Sequence, residues 1–245
     1  MAVFDDCIAY WKCDEVRGQT RADGVGSWDL ADAWGNVSAN SGKFNNGALA
    51  DSYNAAAGGT GALYASTSTA PAALSGSVFT LALWVKLPVS NSSSTMHSVL
   101  TIALSMSHNV NLYYTPSTGK FTWHLDNGTN TDSHNIGGNI SNWRFFTFRW
   151  GSSGYVVTRD SPLSGGGSSA GTSNATLASG LSLHSLTYRS DIVAIDEMGI
   201  WNAGLSYTDI SDLYNSGDGR THGDDTPSPP ATPTTSLFGF HGFAT

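Results

Sequence analysis

Charge is scarce in this chain: only 12% of its 245 residues are Asp, Glu, Lys or Arg, where a soluble domain carries about 25%. Lysine is rarest among the cations, with four residues. The eleven Lys and Arg are scattered, so the sequence has no basic patch of the kind that binds nucleic acid. Too little Lys and Glu, without heptads, excludes a coiled coil. Aromatic residues make up 11%, eight of them Trp, which excludes a chain disordered throughout. No apolar run reaches the eighteen or so residues of a membrane-spanning helix. Met1–Asp6 has neither a charged start nor an apolar core, so no secretory leader is read there. Two routes stay open: a leader already removed, or a destination reached without one, as virion components do. Cysteine is limited to Cys7 and Cys13. Six residues apart on one extended strand they would lie roughly 20 Å from each other, too far for a disulfide, so they are expected to be buried thiols.

What the chain has in quantity is Gly, Ser, Thr and Asn, set between β-prone runs. Residues 78–87, 98–106, 109–114, 120–125, 143–150, 155–159 and 192–201 are expected to be strands, with turns at 115–119 and 126–128. In the 143–150 run, Arg144, Phe146, Phe148 and Trp150 share one face, while Trp143, Phe145, Thr147 and Arg149 share the other. One helix is expected over 205–214, with Ser206 as its N-cap, Asp209 in its first turn and Asn215-Ser216-Gly217 as its stop. The fold class is all-β: a two-sheet antiparallel β-sandwich with one short C-terminal helix. Residues 161–173 are too rich in Gly and Ser to pack and are expected to form a surface loop. From residue 220 a Pro/Thr-rich linker leads to an apolar end, Leu237, Phe238, Phe240 and Phe243. That tail either folds back on the domain or docks on a partner.

Three segments carry a family pattern. The first is Ile8-Ala9-Tyr10-Trp11, then Arg21-Ala22-Asp23-Gly24, Trp28-Asp29-Leu30 and Gly42-Lys43-Phe44-Asn45-Asn46-Gly47-Ala48. The second is Phe79-Thr80-Leu81-Ala82-Leu83-Trp84-Val85. The third is Ile195-Asp196-Glu197-Met198-Gly199-Ile200-Trp201, followed by Leu205-Ser206 and Leu213-Tyr214-Asn215-Ser216-Gly217. In this order they resemble the laminin-G-like group of the concanavalin A-like jelly-roll superfamily, over a domain at 1–219. The resemblance implies that the first and last strands lie close, bringing Asp14 or Asp23 near Asp196. It also implies packing roles for Trp11, Trp84 and Trp201. Relatives of this kind often hold one structural Ca²⁺ between the N-terminal segment and the final strand, which nominates Asp23 and Asp196, with Asp14 and Glu197 behind them. The competing reading of Asp196 and Glu197 is as edge or rim carboxylates hydrogen-bonded to loop backbone, and bare carboxylates are more often simply solvated.

Catalytic patterns are lacking. There is no E-x-D-x-x-E strand, no G-x-S-x-G, no H-E-x-x-H and no Walker loop. Asp196 and Glu197 are adjacent, so on a regular strand they face opposite ways and cannot act as a hydrolase pair. Binding is the better expectation. Sugar rings stack on aromatic faces while amides, carboxylates and imidazoles take hydroxyls. Candidate ligand-binding residues are Trp28, Trp34, Tyr114, His124, Asp126 and Asn127. Tyr113 and Tyr114 point oppositely, so at most one faces the core, and Trp123 is assigned to packing with Phe121 and Leu125. The expected function is a non-catalytic carbohydrate-binding or adhesion module on a surface, that of a virion or otherwise extracellular. It would bind a glycan or cell-surface polysaccharide, and a second structural protein through the tail. Two alternatives remain: a purely structural decoration protein anchored by the tail, and a polysaccharide hydrolase.

Overall fold

The computed structural model describes residues 3–32, 37–50, 63–65, 78–87, 97–105, 108–126, 131–135, 141–151, 154–161, 167–171, 185–188 and 193–223. The strands are β1 (Cys7–Trp11), β2 (Ala31–Asp32), β3 (Val37–Ser41), β4 (Asn46–Ala50), β5 (Leu63–Ala65), β6 (Phe79–Lys86), β7 (His97–Ser105), β8 (His108–Thr115), β9 (Lys120–Asp126), β10 (Thr131–Asn135), β11 (Arg144–Gly151), β12 (Gly154–Arg159), β13 (Gly167–Gly171), β14 (Ser185–Tyr188) and β15 (Ala194–Trp201). One helix, α1 (Tyr207–Tyr214), follows. The strands pair antiparallel into two sheets. The first runs β13-β12-β11-β6-β15-β4-β3, with β1 also on β15; the second runs β10-β9-β8-β7-β14-β5-β2. The chain is therefore an all-β sandwich with a short helix near the end of the described chain.

Strand alternation builds two apolar layers. Leu81, Leu83 and Val85 of β6 and Phe146, Phe148 and Trp150 of β11 face inward, against Leu112, Tyr114, Phe121 and Trp123 of the second sheet. The opposite faces of β6 and β11 are apolar too. There Ala82, Trp84 and Phe145 are covered by Val3 and Phe4 and by Leu205, Ile210 and Leu213 of the helical segment. This double burial explains why Leu81–Val85 of β6 is a continuous apolar run rather than an alternating one. Trp11, Trp84, Trp123 and Trp201 are all buried, as the pattern predicts. Cys7 and Cys13 are unbridged and buried. Burial pushes the Cys7 thiol up to about 12 and the Cys13 thiol well above its ordinary value, which makes both inert.

The edge of β15 is divided between two neighbours. Ile195 pairs with Ala48 of β4, and the second half of the strand pairs with β1, from Cys7↔Trp201 to Trp11↔Met198. The first and last strands thus lie side by side. Against β6, one extra residue falls between Asp196 and Gly199, and Glu197 has φ 46°. This bulge lets Ile195 and Met198, three residues apart, both enter the main core, which a regular strand forbids. The helix starts as expected. Ser206 accepts from the Asp209 N–H, and Asp209 accepts from the Ser206 N–H, a reciprocal capping box. It ends at Asn215 in the left-handed region.

One expectation is corrected. Residues 161–173 are not simply a loop: Gly167–Gly171 is an edge strand, with Tyr155↔Gly171 and Arg159↔Gly167 in register on β12. An edge strand draws its stability from the backbone ladder of one neighbour and needs no apolar side chain, so composition misled. Trp34, Asn127 and the tail from 224 to 245, with Leu237, Phe238, Phe240 and Phe243, lie outside the described residues.

Candidate functional site

The two carboxylates nominated for calcium are both buried, but they serve different loops. Asp23 Oδ1 accepts from the N–H groups of Tyr10 (2.9 Å) and Val25 (3.0 Å), and its Oδ2 accepts from Trp28 N–H at 3.1 Å. Asp196 Oδ2 accepts from Lys43 N–H (2.6 Å) and Phe44 N–H (3.1 Å), and its Oδ1 from Glu197 N–H at 2.9 Å. Asp14 accepts from Asn46 N–H at 3.0 Å and from the Asn45 side-chain amide at 3.2 Å. Calcium needs six to eight oxygen ligands with lone pairs to give. Here those lone pairs already point at N–H donors. Among the described residues no three His, Cys, Asp or Glu side chains converge on a cation position. The donor set fits loop anchoring rather than ion binding, and Asp14 and Asp196 together fix the turn between β3 and β4.

Glu197 is the remaining acid at the bulge. Its Oε2 accepts a short hydrogen bond from the Tyr10 hydroxyl. Burial pushes its carboxyl up to about 8; Tyr10 and Lys12 oppose the rise, while Asp196 and Asp14 add to it. Burial also pushes Asp196 up to about 7, against the pull of its three N–H donors. Both side chains are shut away from solvent, so the Asp196–Glu197 pair is unable to reach a substrate.

The outward face of the second sheet is different in kind. Along β8, Val110, Leu112 and Tyr114 point into the core, and Asn109, Asn111, Tyr113 and Thr115 take the other face. On β9, Phe121 and Trp123 are core and Thr122 and His124 face out. Register lines up Ser133, His124, Asn111, Thr101, Thr187 and Tyr64 in one row across six strands. Within it, the Thr101 hydroxyl donates to Asn111 Oδ1 at 2.8 Å. The rings of Tyr113 and His124, a diagonal cross-strand pair, meet edge to face at 5.8 Å. Both are half-buried. His124 Nδ1 is enclosed and has no hydrogen-bond partner among the described residues. The described helix and the N-terminal segment pack on the first sheet. The result is a strand face carrying two half-buried aromatic rings beside the Thr101 hydroxyl and the Asn111 amide, the latter only 7% exposed.

The candidate residues therefore divide. His124 lies on this face, and Asp126 sits two positions along β9, in register with Asn109. Trp28 is corrected: it is 0% exposed, packed on Trp11 at 5.7 Å, and its carbonyl accepts from the Trp11 indole N–H, so it is core. Tyr114 is corrected too. At 6% exposure, with its ring 4.8 Å from Phe121, it is the member of the tyrosine pair that faces inward. Tyr113, Asn111 and Thr101 were missed as candidates. Strand parity gave the signal for Tyr113, since Tyr114 shares its phase with Leu112 and Val110. Thr101 and Asn111 depend on the β7–β8 register, which no local pattern gives.

No protein-family model matches the sequence, and no curated protein matches it. Solved structures do. One is the binding domain of botulinum neurotoxin DC in complex with SialylT, at 15% identity and TM-score 0.65, covering 86% of this chain and 51% of that one. Another is the same toxin's binding domain with rat synaptotagmin II, at 15% identity and TM-score 0.66, covering 88% and 52%. The receptor binding domain of botulinum neurotoxin D aligns at 15% identity and TM-score 0.67, covering 88% and 54%. This is a likeness of fold. The chain spans about half the length of those binding domains, and the binding named for them belongs to the whole of each.

Proposed function

We propose that the chain is a non-catalytic carbohydrate-binding module of the concanavalin A-like jelly-roll kind, and that it binds a glycan on the outer face of β8 and β9. The observation that carries this reading is the half-buried Tyr113–His124 ring pair, set on paired strands beside the Thr101–Asn111 hydrogen bond. Aromatic faces cover the apolar side of a sugar ring, and fixed amide and hydroxyl groups take its hydroxyls. The neighbours named above are binding domains rather than enzymes, one of them in complex with SialylT, which supports recognition as the role. The buried Asp196–Glu197 pair gives hydrolysis no accessible acid and base.

The setting we propose is display on a surface, that of a virion. The support lies in the sequence: a Pro/Thr-rich stretch tethers an apolar end with Leu237, Phe238, Phe240 and Phe243, the composition of a spacer followed by an anchor on a structural partner. A glycan array tests the binding claim. The full chain should give discrete hits that Tyr113→Ala/His124→Ala loses with its melting temperature little changed. An array without hits, or hits indifferent to both substitutions, would overturn it.

A further inference from the structure

A second surface lies on the first sheet, at the open border of the layer covered by α1. The β3–β4 turn presents Lys43 and Phe44; β6 ends on Lys86; Trp143 precedes β11. Phe44 and Trp143 are half-buried against the layer that contains Trp84 and Phe145. Lys43 Nζ sits 4.9 Å from the centre of the Trp84 ring and 5.8 Å from that of Phe44, and Lys86 Nζ sits 5.9 Å from that of Trp143. The two lysines are joined through a glycine contact: Gly42, next to Lys43, packs on Gly47, where a Cβ would fall 3.2 Å from the Gly42 Cα and 3.2 Å from the ring of Trp143, on which Lys86 sits.

The turn is held rigidly. Its N–H groups at 43 and 44 are bound to Asp196, and Asn46 N–H is bound to Asp14. Those are the carboxylates beside the turn, and they are spent on backbone. Among the described residues neither ammonium makes an ion pair. Two of the chain's four lysines thus stand over aromatic rings, without carboxylate partners among the described residues, in a molecule of net charge −8. Cation–π contact locates an ammonium but does not neutralise it, and its outward N–H groups remain to be satisfied. An anion is the complementary ligand.

Resting on the carbohydrate-binding reading, we propose that this ledge takes the acidic group of a glycan. A carboxylate or sulfate would meet Lys43 and Lys86, with the sugar ring against Phe44 and Trp143. It would give the module a second contact, on the sheet opposite the Tyr113–His124 face, and a preference for acidic over neutral saccharides.

The test is an array on which sialylated, uronate-containing and sulfated glycans stand beside their neutral parents, with hexaglutamate as an acidic peptide. The wild-type chain should favour acidic members, and raised salt should reduce that preference. Lys43→Gln/Lys86→Gln should lower the acidic signal roughly tenfold, the scale of two solvent-facing ion pairs, and leave neutral hits in place. Lys43→Arg/Lys86→Arg should retain the preference, showing that charge rather than folding is read. Equal signals for acidic and neutral members, or a Gln variant with unchanged preference, would overturn the ledge while neutral hits kept the carbohydrate reading intact. Hexaglutamate bound as tightly as the acidic glycans would overturn it in favour of a peptide partner.

Discussion

Asp23 and Asp196 use one device, a buried carboxylate whose lone pairs take several backbone N–H groups from a loop. Hydrogen bonds to a charged acceptor are worth about 1.5–3 kcal/mol each way they are lost, and burial raises the cost of leaving the donors unmet. Asp23→Ala would strand the N–H groups of Tyr10, Val25 and Trp28. It should lower stability by about 3 kcal/mol in denaturant unfolding; a change below about 1 kcal/mol would show that the loop finds other partners. The same bonding predicts that a chelator leaves the melting temperature of the wild-type chain unchanged, and a fall on chelation would reveal a bound cation. Glu197 sets a pH dependence. Its folded-state carboxyl is raised from 4.5 to about 8, so its stabilising contribution is full below the unfolded value and is lost as pH rises through about 8. Asp196, raised to about 7, acts in the same direction. The melting temperature should therefore fall between about pH 5 and about pH 9. Glu197→Gln should flatten the upper part of that fall, and a wild-type curve rising over the interval would contradict the assignment.

At the scale of elements, the helix gives a clean comparison. The capping box at Ser206 and Asp209 was legible in the sequence, because cap chemistry is local and only four residues take part. Ser206→Ala should cost about 1 kcal/mol, measured by thermal or denaturant unfolding. Several strands were legible for the same reason: β6 and β11 show period and β-propensity within a single run, and their faces came out as the pattern implies. What failed was non-local. The edge strand at Gly167–Gly171 exists because β12 offers it a ladder, and its own residues carry no signal. The bulge at Glu197 is invisible in Ile-Asp-Glu-Met, since a one-residue insertion is defined only against the partner strand. The candidate site shows the same division. His124 could be proposed from its type, but Asn111 and Thr101 enter only once β7, β8 and β9 are in register. Trp28 was a candidate because its segment is loop-rich, but that loop is tied by hydrogen bonds from Trp28 N–H to Asp23 and from Asp23 N–H to Asp29, and the ring is buried.

At the scale of the molecule, the two sheets have been given unlike outer faces. The first is apolar on both sides and is covered by the N-terminal residues and α1. The second is apolar inside and polar-aromatic outside, the alternation of an antiparallel sheet, with Tyr113, Thr122 and His124 half-buried and Asn111 buried on the outer side. Low charge fits this division: the chain presents amides, hydroxyls and rings rather than ions, and Lys43 and Lys86 stand out against that background. The central claim is that the outer face of β8 and β9 holds a sugar. The most direct measurement is a backbone-amide NMR titration with the strongest array hit. The account predicts shift changes centred on Thr101, Asn111, Tyr113, Thr122 and His124, saturating together and absent from Tyr113→Ala. Saturable changes confined to residues elsewhere, with these amides unmoved, would contradict it.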